Sequence, residues 1–351
     1  MFIECTPSCG GLKLDTLPIA MTPKVSVIIP IFNVAPYIAD CLQSVNAQTY
    51  PSLEIILVND ATPDDSMTQA APWIEKLRER YEVKVINHTR NRGLSAARNT
   101  GMEASTADWI YFLDSDDEIT PHCIELLAAK VKKYRDVDFV IGNVKFVDST
   151  WSFPLKCNPY VRGNENILRD YTANKWYMMA WNRLYRKNYL LQNKLFFKEG
   201  LLHEDELYSF QIATTAQVMA AVYEETYVYK VRSSGSITAN RKLKNFEDML
   251  YINQEKWAYI LKQYQAGIFT IPYVYGWDCL YDYALLLISN TQVRQTNKIH
   301  LLSAARVSYR PLAAYSSGQQ DLKHILLTGL FHMPSRFILW ILKWRLAMRK
   351  S

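Results

Sequence analysis

The run Trp109-Ile110-Tyr111-Phe112-Leu113-Asp114-Ser115-Asp116-Asp117 sets a stretch of apolar residues directly against three carboxylates. Trp109–Leu113 reads as a buried strand. Acids at the end of such a strand call for a cation or a hydrogen-bonding network to stabilise them. Alternation along an extended chain places Asp114 and Asp116 on the same side, where both can face one oxygen-liganded divalent ion. The other reading of so short a pattern is a solvated acidic turn. A second acidic group, His203-Glu204-Asp205-Glu206, precedes Leu207 and Phe210. It offers candidates for proton transfer, or else the acidic first turn of an ordinary helix. A further acid, Asp60, follows the apolar stretch Glu54–Val58 and Asn59.

The elements around these residues follow from periodicity. Val25-Ser26-Val27-Ile28-Ile29-Pro30 predicts a buried strand closed by proline. Ile38, Cys41, Leu42 and Val45 fall at i, i+3, i+4 and i+7, an amphipathic helix that Pro36 can begin. Glu54–Val58 gives a second strand, residues 66–80 a helix, Val83–Ile86 a third strand, Leu94–Ala104 a helix, and Trp109–Leu113 the fourth strand. Strands alternating with helices predict an α/β fold whose mostly parallel sheet is flanked by helices on both faces. Ligands of such sheets bind beyond the carboxyl ends of the strands. Pro30-Ile31-Phe32-Asn33, Asn59-Asp60 and Asp114–Asp117 all lie at those ends, so three strand ends converge on one crevice.

At 351 residues the chain is long enough for one large domain and a smaller one. With 49% hydrophobic and 21% charged residues it is composed like an ordinary globular protein, which excludes disorder as its overall state. The net charge of +6 is concentrated at the end: Arg336, Lys343, Arg345, Arg349 and Lys350 occur there with no acid among them. Cysteines 5, 9, 41, 123, 157 and 279 are scattered without a Cys-x-x-Cys, as expected of thiols in a reducing compartment. No run reaches the roughly 18 apolar residues that a membrane-spanning helix needs. Residues 1–24 are expected to be a lead before the first strand, and they make a poor signal peptide.

Four segments together, Val25–Asn33, Val58-Asn59-Asp60, Asn91–Gly101 and Phe112–Asp117, resemble in order and spacing a family 2 glycosyltransferase. That is the inverting, nucleotide-sugar-dependent class with a GT-A fold. The resemblance covers residues 25–120 and returns at Trp181-Asn182-Arg183-Leu184-Tyr185 and His203–Glu206. It implies a GT-A domain over 25–235 that moves a sugar from a nucleotide donor, a UDP-sugar, to a saccharide or lipid-linked acceptor. Such a hexosyltransferase would serve surface polysaccharide or glycoconjugate synthesis. Asp60 would accept a hydrogen bond from uracil N3–H, or otherwise cap a helix. Pro30 and Phe32 would shape the base pocket, or simply pack the strand end. Asn91 and Arg98 would contact the nucleotide, Arg98 through a charge-assisted fork; alternatively Arg98 satisfies nearby carboxylates. Asp116 would ligate Mn²⁺ or Mg²⁺, with Asp114 beside the metal or the ribose. Asp205 would be the base and Glu204 a supporting or acceptor-binding group. Arg183 could meet phosphate or an internal carboxylate, and Trp176, Tyr177 and Trp181 could stack on sugars or fill the core.

The resemblance implies a cytoplasmic enzyme, working at the inner face of the membrane if its acceptor is lipid-linked, with no nucleic-acid partner. A nucleotidyltransferase would need a Gly-rich basic loop after the first strand, which Ile31–Ala35 lacks. A catalytically silent sugar-binding or assembly subunit would have no need of Asp60, Asp116 and Asp205 together. Residues 236–330 predict a helical accessory region, with Phe246, Leu250, Trp257, Leu261 and Tyr264 on one face and Leu280, Ala284, Leu287 and Ile288 on another. Residues 331–351 form a basic amphipathic tail in which Phe337, Trp340, Ile341, Trp344 and Met348 share a face. It is suited either to an anionic membrane or to packing on protein.

Overall fold

The computed structural model describes residues 22–147, 152–230, 241–315 and 333–348, together with residue 329. The expected lead over the first twenty residues therefore lies outside the described residues, as do Arg349 and Lys350 of the tail.

The four apolar runs become the parallel half of one sheet. β1 (Val25–Ile31) lies between β2 (Leu53–Asn59) and β4 (Trp109–Phe112), and β2 pairs with β3 (Glu82–Asn87), all in parallel. β1 runs one residue past Pro30. The N–H of Leu113 donates to Ile28 O at 3.0 Å, so Ile28, and with it Pro30 two residues on, faces β4. β4 has ended by that point, and the missing proline N–H costs no ladder bond. Glu54, fully buried inside β2, is satisfied by Lys84 at 2.5 Å, by Thr106 and by Ser26. It lies at the entry end of the strands, away from the crevice.

α1 (Ile38–Asn46) buries Ile38, Cys41, Leu42 and Val45, the predicted stripe. It starts at Ile38, leaving Pro36 in the preceding turn. α2 (Ser66–Arg78) and α3 (Leu94–Ala104) follow β2 and β3. α3 presses close on the sheet at Gly101, where an added Cβ would sit 2.3 Å from Ile28 Cγ2. Only glycine allows that approach.

Beyond β4 the chain adds β5 (Glu118–Ile119), α4 (Cys123–Lys133), β6 (Phe139–Val147), β7 (Tyr160–Arg162), α5 (Asn164–Thr172), β8 (Arg183–Arg186), α6 (Lys187–Gln192), α7 (Glu204–Thr215) and β9 (Val218–Lys230). The sheet order is β3-β2-β1-β4-β8-β6-β9-β5, with β7 against β9. β8 runs antiparallel between β4 and β6, while β6 and β9 are again parallel. Inserting β8 beside β4 lets β9 reach back over the end of β4, which the site requires.

Further helices follow along the chain: α8 (Leu243–Gln265), α9 (Tyr273–Ser289), α10 (Gln295–Ala313) and α11 (Ser335–Met348). Phe246, Leu250, Trp257 and Tyr264 are buried in α8 as predicted, and Leu280, Ala284, Leu287 and Ile288 in α9. Leu261 is only partly buried, because Ile260 takes its place in the core. α11 docks through Ile338 and Leu342, and its first residue, Ser335, is 2.8 Å from Ser303 Oγ of α10. Phe337 and Trp340 point away, 44% and 63% exposed, with their rings stacked at 5.7 Å. The docked face is thus not the one the aromatics suggest. Among the described residues no helix is long and apolar enough to cross a membrane.

Candidate active site

β4 stops at Phe112, and Asp114–Asp117 form a turn closed by the Asp117 N–H donating to Asp114 O at 3.1 Å. The turn, not strand alternation, gathers the acids. Asp114, Asp116 and Asp117 bring carboxylate oxygens within 4.8 Å of one another. Asp117 is buried and accepts hydrogen bonds from Tyr227 Oη at 2.8 Å and Lys230 N at 3.0 Å, both on β9. Burial, then the charges of Asp116 and Asp114, push the Asp117 carboxyl well above the usual range. Such crowding of hard oxygens is relieved by a divalent cation, so the donor set fits Mn²⁺ or Mg²⁺.

Arg98 of α3 ties this turn to α7. Its guanidinium, 2% exposed, donates through Nη2 to Asp114 Oδ1 and through Nη1 to Glu204 Oε1, each at 2.7 Å. The ring of Phe197 lies 5.0 Å from the guanidinium carbon. The fork expected to grip the nucleotide is therefore committed to two carboxylates.

The acids of α7 occupy its first turn, where the helix N-terminus favours negative charge. Glu204 is buried, and burial raises its carboxyl against the opposing pull of Arg98. Loss of surrounding water, then the neighbouring Glu204 charge, raises Asp205 to about 7. A carboxylate poised there can take a proton at neutral pH. Three contacts from α8 brace this turn. Leu202 N donates to Asp248 Oδ2 at 3.0 Å, Asn245 Nδ2 meets His203 Nε2 at 3.4 Å, and buried Lys256 pairs with Glu206. His203 itself is held in the left-handed region at φ 61°, and burial lowers its pKa. A non-glycine residue keeps that conformation only where its surroundings enforce it.

Just beyond the end of β2, Asp60 is 2% exposed. Its Oδ1 accepts from Arg92 N at 2.8 Å and meets His88 Nδ1 at 2.6 Å; Oδ2 accepts from Gly93 N at 2.7 Å. Asp60 does not cap the helix after β2; it anchors the loop entering α3, where Gly93 adopts φ 90°. Asn33 and Ala61, each next to a predicted base-pocket residue, also lie in the left-handed region at φ 54° and 53°. Pro30 is buried in β1, Phe32 stands 38% exposed beyond its end, and Asn91 is exposed on the loop before α3.

Other expectations resolve as core. Trp176, Tyr177 and Trp181 are all buried, and Trp181 stacks on Tyr227 at 4.3 Å, so none presents an open face for a sugar. Arg183 is fully buried, bonded to Ser209 Oγ at 2.9 Å and to the Tyr177 carbonyl, and among the described residues it has no carboxylate partner. His88, Tyr227 and Lys256 were not singled out from the sequence. His88 follows the end of β3 and could have been found by the strand-end rule that selected Asp60. Tyr227 and Lys256 carry no such local signal.

With this geometry in view, the likeness to known proteins is specific. Residues 26–193 match the family model described as glycosyl transferase family 2. The chain is 31% identical over 272 residues to EpsH of Bacillus subtilis strain 168, a protein named as a glycosyltransferase, spanning 74% of this chain and 77% of EpsH. It is 26% identical to the uncharacterized glycosyltransferase EpsJ of the same organism over 93% of this chain and 94% of EpsJ. The crystal structure of Staphylococcus aureus TarS 1–349 in complex with UDP-GlcNAc superposes with a TM-score of 0.58 at 20% identity, over 84% of this chain and 92% of that one. That superposition establishes a shared GT-A fold. The chain belongs to glycosyl transferase family 2.

Proposed function

We propose that this glycosyltransferase uses a UDP-sugar and transfers its hexosyl group, with inversion, to a hydroxyl of a saccharide or lipid-linked acceptor. The observation that carries this reading is the Arg98 bridge, which sets the acids of α7 beside the acidic turn after β4. Asp205 is the base, taking the acceptor hydroxyl proton as that oxygen bonds to C1 of the sugar. The C1–O bond to the diphosphate breaks on the opposite face, and UDP departs with the electron pair. Glu204, fixed by Arg98, shapes the acceptor side and helps hold Asp205 near neutrality. Asp114 and Asp116 would hold a divalent cation, Mn²⁺ or Mg²⁺, whose charge offsets that of the leaving diphosphate. Asp60 and Phe32 frame the uracil, Pro30 supports them from within β1, and Asn91 lines the nucleotide side.

The UDP-GlcNAc complex of TarS supports a uridine donor on the same fold. Free thiols at Cys41, Cys123, Cys157 and Cys279 suit a cytoplasmic enzyme. The stacked, exposed Phe337 and Trp340 on a basic helix support contact with the inner face of an anionic membrane, where a lipid-linked acceptor would be presented. The test is UDP binding by calorimetry with and without Mn²⁺. Metal-dependent binding that disappears in Asp116→Ala is expected; metal-independent binding unchanged in that variant overturns the assignment of Asp116. Absence of UDP binding would favour a silent sugar-binding subunit.

A further inference from the structure

His88 lies just after the end of β3, with its side chain 5% exposed, and is given no part in the chemistry above. Its Nδ1 is 2.6 Å from Asp60 Oδ1 and its Nε2 is 3.0 Å from Thr100 Oγ1. A carboxylate can only accept, so Nδ1 carries the proton; in the neutral ring Nε2 is then an acceptor, and the Thr100 hydroxyl donates to it. One tautomer satisfies the whole chain from Thr100 to Asp60.

The lone pairs of Asp60 follow from this. Oδ1 accepts from both His88 and Arg92 N, which fills it, while Oδ2 accepts only from Gly93 N at 2.7 Å. Among the described residues one acceptor position remains on Oδ2, and the carboxylate cannot rotate to offer another without breaking these bonds. A base that presents an N–H there is bound, whereas one that presents a bare nitrogen lone pair is repelled. Uracil carries a hydrogen on N3 and cytosine does not. Buried polar groups left unpaired are what make such discrimination steep.

We propose that His88 is a positioning residue for donor-base selection: by holding Asp60 Oδ1, it aims the remaining Oδ2 lone pair at the N3–H of uracil and so sets the preference for uridine over cytidine diphosphates. The inference rests on the uridine-donor reading above and adds to it the residue that enforces the choice.

Calorimetric titration of the full chain with UDP and with CDP, in Mn²⁺, tests it. His88→Asn keeps an N–H near the Nδ1 position, whereas His88→Gln carries its amide farther out, toward Thr100, and leaves Oδ1 short of a donor. His88→Gln is expected to lose about tenfold or more in UDP affinity and to narrow the UDP-to-CDP ratio by a similar factor, the worth of a charge-assisted hydrogen bond. His88→Asn is expected to stay within about threefold of the wild type on both readouts, a change under 1 kcal/mol. His88→Leu should behave as His88→Gln; if it does not fold, the Asn and Gln pair decides. A role confined to stability would lower affinity for both nucleotides together and leave their ratio unchanged. Wild-type UDP binding with an unchanged ratio in His88→Gln overturns this inference alone. Failure of the wild type to bind UDP overturns the donor reading, and this inference with it.

Discussion

Arg98 and Glu204, 106 residues apart in the chain, meet at 2.7 Å between Nη1 and Oε1. Because Nη2 of the same guanidinium holds Asp114, one side chain fixes the distance between the acidic turn after β4 and the first turn of α7. Arg98→Met would leave Glu204 buried beside Asp114 with no counter-charge. We expect a loss of about 3–5 kcal/mol in urea denaturation and at least ~100-fold in transfer, as for other broken buried charge pairs. Arg98→Lys should restore little, since one ammonium cannot reproduce the two-armed fork.

Asp205 is expected to give a neutral-pH limb to the activity profile. Its carboxyl is raised to about 7, chiefly by loss of water and by Glu204, and transfer requires it ionised, so the rate should fall as pH drops below that value. Stability should show the opposite sign. Between the unfolded value near 4 and the folded value, the native state binds more protons, so stability declines as pH rises through this window. Asp205→Asn removes the penalty: it should be more stable than wild type at pH 8, near parity at pH 4, and inactive while still binding UDP. Thermal denaturation at the two pH values and a transfer assay check the two halves separately. Undiminished transfer by Asp205→Asn would remove Asp205 from the base role.

Lys256 reaches Glu206 from the helical region, 2% exposed and within α8. Lys256→Met leaves Glu206 unpaired in the turn that carries Asp205, so kcat should fall by about 10- to 100-fold through misplacement of the base. UDP affinity should stay within about twofold, because among the described residues no hydrogen bond or ion pair joins α8 to Asp60, Phe32 or Asn91. Lys256→Arg should recover part of the rate. An equal loss in UDP affinity would show instead that α8 supports the whole domain.

Gly101→Ala tests the seat of α3 on the sheet. The new Cβ would fall 2.3 Å from Ile28 Cγ2, and neither a helix backbone nor a central strand gives way freely. A shift of the urea midpoint at constant slope, equivalent to about 1–3 kcal/mol, is expected. Since Arg98 sits on the same helix, transfer should fall in parallel.

Local patterns carried much of this protein. The stripe of α1, the limits of α3 and the four parallel strands follow from periodicity that burial then satisfies. Asp60 and the acids after β4 could be picked out because charged residues at the ends of apolar strands are rare and costly. The roles of Arg98, Arg183 and the aromatics around Trp181 could not be read in the same way. An arginine is drawn equally to phosphate and carboxylate, and an aromatic ring equally to sugar and core, so only the neighbours decide. Ile338 and Leu342, not the more conspicuous Phe337 and Trp340, dock α11 for the same reason: hydrophobicity sets the wish to be buried, and the available partner sets which side chains are.

The sequence by itself determined the fold class and the acids at the carboxyl ends of the strands, because these depend on contacts close along the chain and on the high cost of burying charge. Tertiary structure alone decided that Arg98 binds Asp114 and Glu204, that Tyr227 and Lys230 hold Asp117, that Lys256 braces Glu206, and that His88 orients Asp60. Most of these pairs join residues tens to more than a hundred positions apart; those of Asp117 and Glu206 exist because the end of β9 reaches the turn after β4 and because α8 packs on α7. A hydrogen bond depends on tenths of an ångström, and no local pattern encodes a distance between segments that meet only once the sheet has closed.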